Sequence, residues 1–412
     1  MHLIPSLRKA TSTESFTIFV VAFAVFTDVF LYSVIVPGLP ATLGQRVGVP
    51  EADQQKWVSV LLLIYGAGLL IGSPICGYVA DRVTSRKIPL MAGLVALGGA
   101  TALLCAARAI ALWVIGRFVQ GVSAAVVWTV GLALLVDTVG DARIGEAMGY
   151  VGIGISLGVS LGPILGGVLY NFGGFFAVSE SHPVFGSPEA QHVPNSEQSA
   201  SRPSLLVLLT TPRVLVAMGG YFSQATLLTA FDSVLPLFVK STFGWNLLGE
   251  GLIFLTLAVP AFLEPLIGKI VDKRHSVRRY MAAGGFLLAV PVLTLLRFVQ
   301  QNSAGHIVLL CVLLFLVGVN MAVIYPPLMA EITNTVTLKE QSNPGIFGKK
   351  GAMAQAHGLM NCSYAAGSLV GPILGGVVRE QFGWPTMSWV LAVFSAVASV
   401  PVALFLGGWI RR

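Results

Sequence analysis

Charged residues are scarce in this sequence. Asp, Glu, Lys and Arg make up only 10% of its 412 residues, whereas soluble domains carry about 25%. So few charges cannot cover a surface that faces water, which argues against a soluble globular protein. Hydrophobic residues make up 55% of the chain and come in long blocks, so lipid is the solvent that the composition favours.

Cysteine is also scarce, and its placement argues against disulfide and metal chemistry. All four cysteines lie inside apolar blocks, where we expect them to be small packing residues. The sequence contains no cluster of His, Cys and carboxylates at metal spacing, no phosphate-binding loop and no nucleophile motif. We therefore expect a protein that is not an enzyme and uses no cofactor.

The net charge is +7, but the basic residues lie between apolar blocks rather than in one patch. This pattern indicates membrane topology, not nucleic-acid binding. Most of the 25 Lys and Arg residues fall on one side if the N-terminus is inside. We therefore expect the basic loops at 82–87 and 269–279 to face the cytoplasm.

The apolar blocks predict transmembrane helices. Crossing a bilayer takes about 20 apolar residues, and each backbone amide inside lipid needs a partner. The predicted fold is therefore an all-α membrane protein. Its predicted spans are 16–37, 56–79, 88–107, 111–136, 147–170, 213–239, 250–271, 280–299, 307–331, 351–378 and 383–409.

Two segments of the first half recur in the second. Gly158–Gly167 (GVSLGPILGG) recurs as Gly367–Gly376 (GSLVGPILGG), and Gly77–Arg82 (GYVADR) recurs more weakly as Gly268–Lys273 (GKIVDK). Repeats of this kind indicate two related halves of a membrane protein, with a site at the interface between them.

The first half lacks the apolar length for a sixth crossing. We call the repeated segments Gly158–Gly167 and Gly367–Gly376 the Gly-Pro motifs. After the first motif only residues 171–178 are mainly apolar, whereas after the second motif the chain continues through Phe382 into a full span. We expect a sixth helix that begins and is cut short. Either the gene sequence has been assembled wrongly at this point, or the chain really has eleven spans. The predicted division is a first half at 1–177, a polar cytoplasmic linker at 178–212 and a second half at 213–412.

Three motifs together resemble those of the major facilitator superfamily over most of the chain. Residues 77–87 (GYVADRVTSRK) are similar to its loop motif, and residues 115–121 (IGRFVQG) to its motif with a buried arginine. Residues 158–167 are similar to its antiporter motif. The resemblance implies a bundle of two pseudo-symmetric halves, nominally of twelve spans with the sixth truncated, that works by alternating access.

Other residues narrow the resemblance. Asp28, followed by Val36 and Pro37, is similar to drug:proton antiporters near the vesicular amine transporter branch, and residues 231–236 resemble fungal members more loosely. The resemblance implies exchange of a small organic molecule for protons.

Asp28 and Arg117 lie deep in predicted spans, about 13 Å and 9 Å from the outer ends. Charges at such depth are costly and usually face a cavity or a partner. Asp28 is a candidate to bind a proton or a cationic substrate, with a structural hydrogen bond as the alternative. The resemblance ties Arg117 to proton coupling, with helix packing as the alternative.

Polar residues on otherwise apolar spans are candidates to line a central cavity, with helix-to-helix hydrogen bonding as the alternative for each. Alignment of two prolines makes Asp232 the repeat counterpart of Ser33; its alternatives are a role in transport and a local role at the helix end. The candidates for substrate or proton binding are Asp28, Arg117, Gln120, Asp232, Asn320, Tyr325, His357 and Asn361.

Charged residues at the predicted inner face, and the glycines and prolines of the repeated motifs, are candidates for a gate. A carboxylate beside guanidinium groups can hold the two halves together, while glycines let helices approach and proline bends them. Glu264 is expected to pair with the basic loop 269–279, with a role in transport as the alternative. The gate candidates are Gly77, Asp81, Arg82, Arg86, Lys87, Gly158, Gly162, Pro163, Gly166, Gly167, Asp272, Gly371 and Pro372.

These observations predict a secondary transporter that exports a small lipophilic or cationic organic molecule in exchange for protons. The alternatives are a facilitator or importer on the same fold and a truncated membrane protein that does not transport. The expected partners are the small-molecule substrate, the proton and the lipid bilayer. We expect a monomer that binds no nucleic acid, in the plasma membrane rather than a vacuolar or vesicular one.

Overall fold

The computed structural model describes residues 14–35, 39–83, 85–140, 143–179, 204–347 and 351–408. Within these residues the regular structure is helical, and ten helices are long and apolar enough to cross a membrane. This confirms the predicted all-α membrane fold.

The ten helices are numbered here in chain order. They are α1 Glu14–Ile35, α2 Glu51–Ala80, α3 Lys87–Ala106, α4 Ile110–Val139, α5 Ile144–Ser179, α6 Pro212–Phe243, α7 Gly249–Lys273, α8 Val277–Leu295, α9 Ala304–Ser342 and α10 Met353–Phe405. Short helices lie at Leu39–Thr42, Leu43–Val47, Ser204–Leu209 and Leu296–Phe298.

Helix α10 contains two crossings, because Gly383 interrupts it with φ 81° and ψ 170°. Its two arms, residues 353–382 and 384–405, match the last two predicted spans. Pro385 follows closely and disfavours helical conformation in the residue before it. All eleven predicted spans therefore have a helical counterpart.

The end of α5 differs from the corresponding part of α10. The sequence predicts that a separate sixth helix begins within residues 171–179. In the structure these residues continue α5 to Ser179. The first half has no proline at this point, so nothing in the local sequence ends the helix as it does near Gly383. The predicted linker at 178–212 falls largely on residues 180–203, which lie outside the described residues.

The Gly-Pro motifs bring two helices of the same half together. A Cβ at Gly162 of α5 would strike Ser33 of α1, and a Cβ at Gly371 of α10 would strike Thr229 of α6. The glycine one turn earlier in each motif faces the same pair of helices. These glycines thus set the close approach of α5 to α1 and of α10 to α6.

This packing corrects the alignment of the halves. Ser33 and Thr229 occupy equivalent places, so the counterpart of Ser33 is not Asp232. The same shift makes Gln224 the counterpart of Asp28. The alignment on Pro37 and Pro236 was wrong because both prolines lie beyond the residues that pack against the Gly-Pro motifs, so they do not set the register of that packing.

The two halves meet along two seams. Helix α2 packs against the first arm of α10, and α5 packs against α7. We call these contacts the α2/α10 seam and the α5/α7 seam. Large apolar side chains such as Phe19, Val95 and Leu288 are exposed on the outside, as a surface in contact with lipid requires.

Candidate functional site

Asp28 lies in the interior of the bundle, where its side chain is only 1% exposed. Its Oδ2 accepts a hydrogen bond of 2.9 Å from Nε1 of Trp128 on α4. Its Oδ1 is buried and has no hydrogen-bond partner among the described residues. The carboxyl group therefore keeps one oxygen available to a proton, a water molecule or a ligand.

Arg117 of α4 is completely buried. Its Nη1 donates to Oε1 of Gln120 at 3.0 Å, while its Nε and Nη2 have no hydrogen-bond partner among the described residues. The guanidinium carbon lies 5.7 Å from the centre of the Tyr32 ring, within cation–π range. Arg117 is thus a buried cation with unused donors.

Two tyrosine rings in tilted contact lie near these charges. The rings of Tyr32 and Tyr65 are 4.6 Å apart. Tyr65 interacts electrostatically with both Asp28 and Arg117, and Tyr32 interacts with Arg117 and with Asp232 of the second half. The structure therefore brings the predicted Asp28, Arg117 and Asp232 around one pair of phenol groups.

A chain of aromatic rings crosses from one half to the other. Trp128 lies 5.9 Å from Tyr364, Tyr364 lies 5.4 Å from Tyr221, and Tyr221 lies 5.9 Å from Tyr325. We call these four residues the central aromatic chain. Aromatic faces with a few buried polar groups suit a small organic molecule, and such faces also attract cations.

Three predicted cavity residues lie elsewhere. Nδ2 of Asn361 donates to Oγ of Ser73 at 2.7 Å across the α2/α10 seam. Nδ2 of Asn320 donates to a carbonyl of its own helix at 2.9 Å. His357 is fully buried, with Nε2 3.5 Å from Oγ1 of Thr333. These residues link or brace helices, which was the alternative considered for each.

Asp81 caps the start of α10 from the opposite half. Its Oδ1 and Oδ2 accept hydrogen bonds of 2.9 Å from the backbone amides of Ala354 and Gln355. A Cβ at Gly77 would strike the Ala354 carbonyl, so glycine is needed for this approach. Burial raises the pKa of the Asp81 carboxyl, although these amides and Arg86 act in the opposite direction.

Asp272 makes the same contact at the other seam. Its Oδ1 accepts a 2.8 Å hydrogen bond from the backbone amide of Gly145, and its Oδ2 a 3.0 Å bond from that of Glu146. A Cβ at Gly268 would strike the Gly145 carbonyl. We call Gly77 with Asp81, and Gly268 with Asp272, the two Gly–Asp clamps.

Arg86 supports the carboxylate of the first clamp from its own half. Arg86 lies 3.2 Å from Asp81 and also pairs with Asp137 of α4. The guanidinium of Arg82 lies 3.6 Å from the centre of the Tyr78 ring, and Lys87 is exposed. The predicted hold between the halves is therefore made by carboxylates on backbone amides, with Arg86 bracing its carboxylate.

The remaining gate candidates lie on helices at the seams. Pro372 is half-buried in α10 beside Gly371. Pro163, Gly166 and Gly167 follow on α5, in a stretch whose side-chain surroundings lie outside the described residues.

Of the aromatic lining, sequence reasoning predicted only Tyr325, and it misjudged one acid. Tyr32 follows Asp28 by one helical turn, and Trp128 lies on the face of α4 that carries Arg117, so helical spacing could have indicated both. Glu264 was expected to pair with the basic loop, but it is buried against α5, and no ion pair of Glu264 is found among the described residues.

Comparison with known proteins agrees with this architecture. A model of the Major Facilitator Superfamily matches residues 18–343 and 217–411. The MFS-type transporter ppzB of Metarhizium rileyi is 31% identical over 466 aligned positions, which cover 97% of this chain and 95% of that protein. The uncharacterized MFS-type transporter C18.02 of Schizosaccharomyces pombe is 31% identical, covering 95% of this chain and 96% of its own length.

A more distant relative and a solved structure extend the comparison. The synaptic vesicular amine transporter of Mus musculus is 24% identical, over 82% of this chain and 63% of its own length. The crystal structure of the human organic anion transporter MFSD10 has the same fold, with a TM-score of 0.68 and 16% identity, covering 94% of this chain and 99% of its own. The resemblance to the vesicular amine branch agrees with the prediction.

The alignment with the Metarhizium protein also shows a difference in length between the two chains. It extends over 466 positions, which is more than the 412 residues of this chain. That relative therefore contains segments that this chain lacks.

Proposed function

This chain belongs to the major facilitator superfamily, and on that premise we propose that it exports a small lipophilic or cationic organic molecule in exchange for protons. Membership makes it a multi-pass membrane transporter of a small molecule. The direction of transport, the coupling to protons and the class of substrate are the proposal. The plasma membrane is the proposed location and the monomer the proposed state.

The observation that carries the proposal is the buried Asp28 beside the central aromatic chain. An ionised carboxylate with one unsatisfied oxygen can hold a cation, and a proton that neutralises it removes that attraction. Substrate and proton then compete for one site. Aromatic faces between the halves provide the apolar contact that a lipophilic molecule needs.

Alternating access follows from the seams. The two Gly–Asp clamps join the halves at one end through short backbone contacts, which break and re-form more easily than a packed core does. Opening the clamps would expose the central aromatic chain to water at the basic end of the bundle, which we propose to be the cytoplasmic end.

The test uses the full chain reconstituted in lipid vesicles, with ethidium as a lipophilic cationic probe and a pH-sensitive dye to follow protons. We expect ethidium movement to be driven by a pH gradient and to move protons in the opposite direction. Asp28→Asn should abolish the response to the gradient, while Asp53→Asn, at an exposed position outside the bundle core, should leave it unchanged. Ethidium flux indifferent to the gradient in the wild type would exclude proton exchange of this probe.

The length of the relatives favours one further test. A chain that lacks a membrane crossing present in a homologous transporter could fold without transporting. Inserting an apolar segment of about 20 residues between residues 179 and 204 should then restore transport to a silent chain. Transport by the chain as it stands would rule out the non-transporting alternative, and the sign of ethidium flux separates exporter from importer.

A further inference from the structure

Glu264 lies where the backbone of α7 is irregular. A five-residue 3-10 segment, Val259–Leu263, directly precedes it, with Pro260 inside that segment and Pro265 immediately after Glu264. Glu264 is nine residues from Lys273 at the end of the span, or about 13 Å. Irregular backbone inside a membrane is tolerated where it is buried in protein or lines a path, and a 3-10 stretch within a helix often marks a hinge.

The carboxyl group of Glu264 lies directly in the α5/α7 seam. A Cβ at Gly152 of α5 would overlap that carboxyl group, and one at Gly149 would strike the Glu264 backbone. The residue is only 5% exposed, and its Oε2 has no hydrogen-bond partner among the described residues. The two glycines thus form a surface of α5 against which this acid fits when the seam is closed.

A second buried glutamate shows what Glu264 lacks. Glu331 of α9 is 1% exposed, but its Oε1 lies 2.5 Å from Nη2 of Arg213 and accepts a 3.0 Å hydrogen bond from the Gly407 amide. Arg278 lies 3.9 Å from its other oxygen. A buried carboxylate with such partners can stay ionised, whereas one without a cation is costly to bury in ionised form.

Two other unsatisfied groups are near Glu264. The hydroxyls of Tyr221 on α6 and Tyr325 on α9 are buried without a hydrogen-bond partner among the described residues. Both tyrosines interact electrostatically with Glu264. Three buried, unsatisfied polar groups that interact electrostatically with one another favour a shared proton or water molecule over three separate defects.

The other charges near this part of the seam are already engaged. Lys269 pairs with Glu146 of α5 at 3.1 Å. Asp272 is held in its clamp, and Arg278 lies beside Glu331. None of these contacts supplies Glu264 with a cation.

We propose that Glu264, with the hydroxyls of Tyr221 and Tyr325, forms a second proton-binding site, separate from Asp28 and set in the α5/α7 seam. At the open seam a hydronium ion gives up one O–H bond and becomes water, its proton forms an O–H bond on the carboxylate, and the neutral acid then packs against Gly149 and Gly152. Opening the seam rehydrates the acid and releases the proton to water. Proton uptake by Glu264 thus accompanies closing of the seam. This site rests on the proposed function, since it adds a second coupling acid to the exchange.

Infrared spectroscopy of the full chain in lipid tests the site directly. A protonated carboxyl group has a carbonyl stretch distinct from that of a carboxylate, and exchange into heavy water shifts it. We expect Glu264→Gln to remove one protonated-carboxyl component at neutral pH. The matched control, Glu331→Gln, should remove none, because that carboxylate is paired with arginines. A Glu264→Gln spectrum that loses only carboxylate absorption would overturn the proposal.

A distance measurement covers the case in which the infrared variant folds poorly. Spin labels on the exposed Ile88 of α3 and Tyr280 of α8, in a background without native cysteines, report the separation of the halves. Raising the pH should shift the wild type toward the longer distance. Glu264→Gln should stay at the shorter distance at every pH, and Glu264→Asp should keep the response. A wild-type distance that does not change with pH, or a Glu264→Gln variant that responds as the wild type does, would contradict the proposal.

Neither measurement uses a transported substrate. A chain that passes both tests but moves no ethidium retains the Glu264 site and loses the proposed substrate class. A chain that exchanges ethidium for protons but fails both tests retains the proposed function and loses the Glu264 site.

Discussion

The two halves of this bundle share a backbone plan but differ in their buried chemistry. Each half has a Gly-Pro helix packed on its first helix and a Gly–Asp clamp on the other half. Their central acids are unrelated by the repeat, because Asp28 corresponds to Gln224. The first half has an acid with a tryptophan donor, and the second half has Asp232 and Glu264, for which the described residues show no such donor.

The difference indicates what each part of the repeat is needed for. Glycines recur because both seams require backbones in contact, which any side chain would prevent. A titratable group has no such duplicate requirement, so each half can hold a different acid in a different place. The comparison predicts that changes at the clamps act alike in the two halves, while changes at the acids do not.

The largest expected effect is at the clamp glycines. Gly268→Leu and Gly77→Leu should each prevent closure of their seam, because a side chain there would strike a carbonyl of the other half. Overpacking costs about 1–3 kcal/mol or more, or roughly tenfold in the closed population per 1.4 kcal/mol. The distance between spin labels at residues 88 and 280 measures the closed population. Gly284→Leu, where nothing lies within 4 Å of a Cβ, should have no such effect.

The clamp carboxylates should have the next largest effect. Asp81→Ala removes the acceptor of two amide bonds, the acceptor of a 3.2 Å bond from Nε2 of Gln355 and the partner of Arg86, whereas Asp272→Ala removes two amide bonds. Loss of a helix cap costs about 0.5–2 kcal/mol, so both variants should populate the open seam, Asp81→Ala more strongly. Equal shifts in the same distance measurement would show that neither Arg86 nor the Gln355 side chain contributes to closure.

Two tryptophans allow a matched test of Asp28. Nε1 of Trp128 donates to Asp28, and Nε1 of Trp384 donates to the neutral Leu296 carbonyl, both at 2.9 Å. A hydrogen bond to a charged group contributes about 1.5–3 kcal/mol, against about 0.5–1.5 kcal/mol for a neutral pair. Trp128→Phe should therefore lower the free energy of unfolding more than Trp384→Phe does. Equal losses would indicate a neutral Asp28 in the resting protein.

The smallest expected effect is at the exposed ion pair of the α5/α7 seam. Lys269→Gln removes the contact with Glu146, but the lysine side chain is 49% exposed. Such pairs contribute about 0–1 kcal/mol, so the label distance should change less than for either clamp carboxylate. A change as large as that of Asp272→Ala would mean that the ion pair, rather than the clamp, holds this seam.

The site was only partly predictable from sequence. Asp28, Arg117 and Asp232 were found because a charge inside an apolar block is conspicuous. Asn320 and Asn361 carry the same side chain and could not be distinguished, yet one bonds to its own helix and the other reaches Ser73 across a seam. Tyr364 and Tyr221 gave no signal, because an aromatic residue is unremarkable within a membrane helix.

The sequence by itself determined the helices, their approximate ends and the recurrence of two motifs in both halves, but not the residue-by-residue alignment of the halves. Apolar length is enough for this, since lipid requires every spanning backbone to be hydrogen-bonded within its own helix. Only the tertiary structure decided that Glu264 lies unpaired against Gly152 instead of in the basic loop, and that Asp81 caps a helix 273 residues away in sequence. Those contacts depend on how helices cross and rotate against each other, and the spacing of residues along one helix does not specify its neighbours.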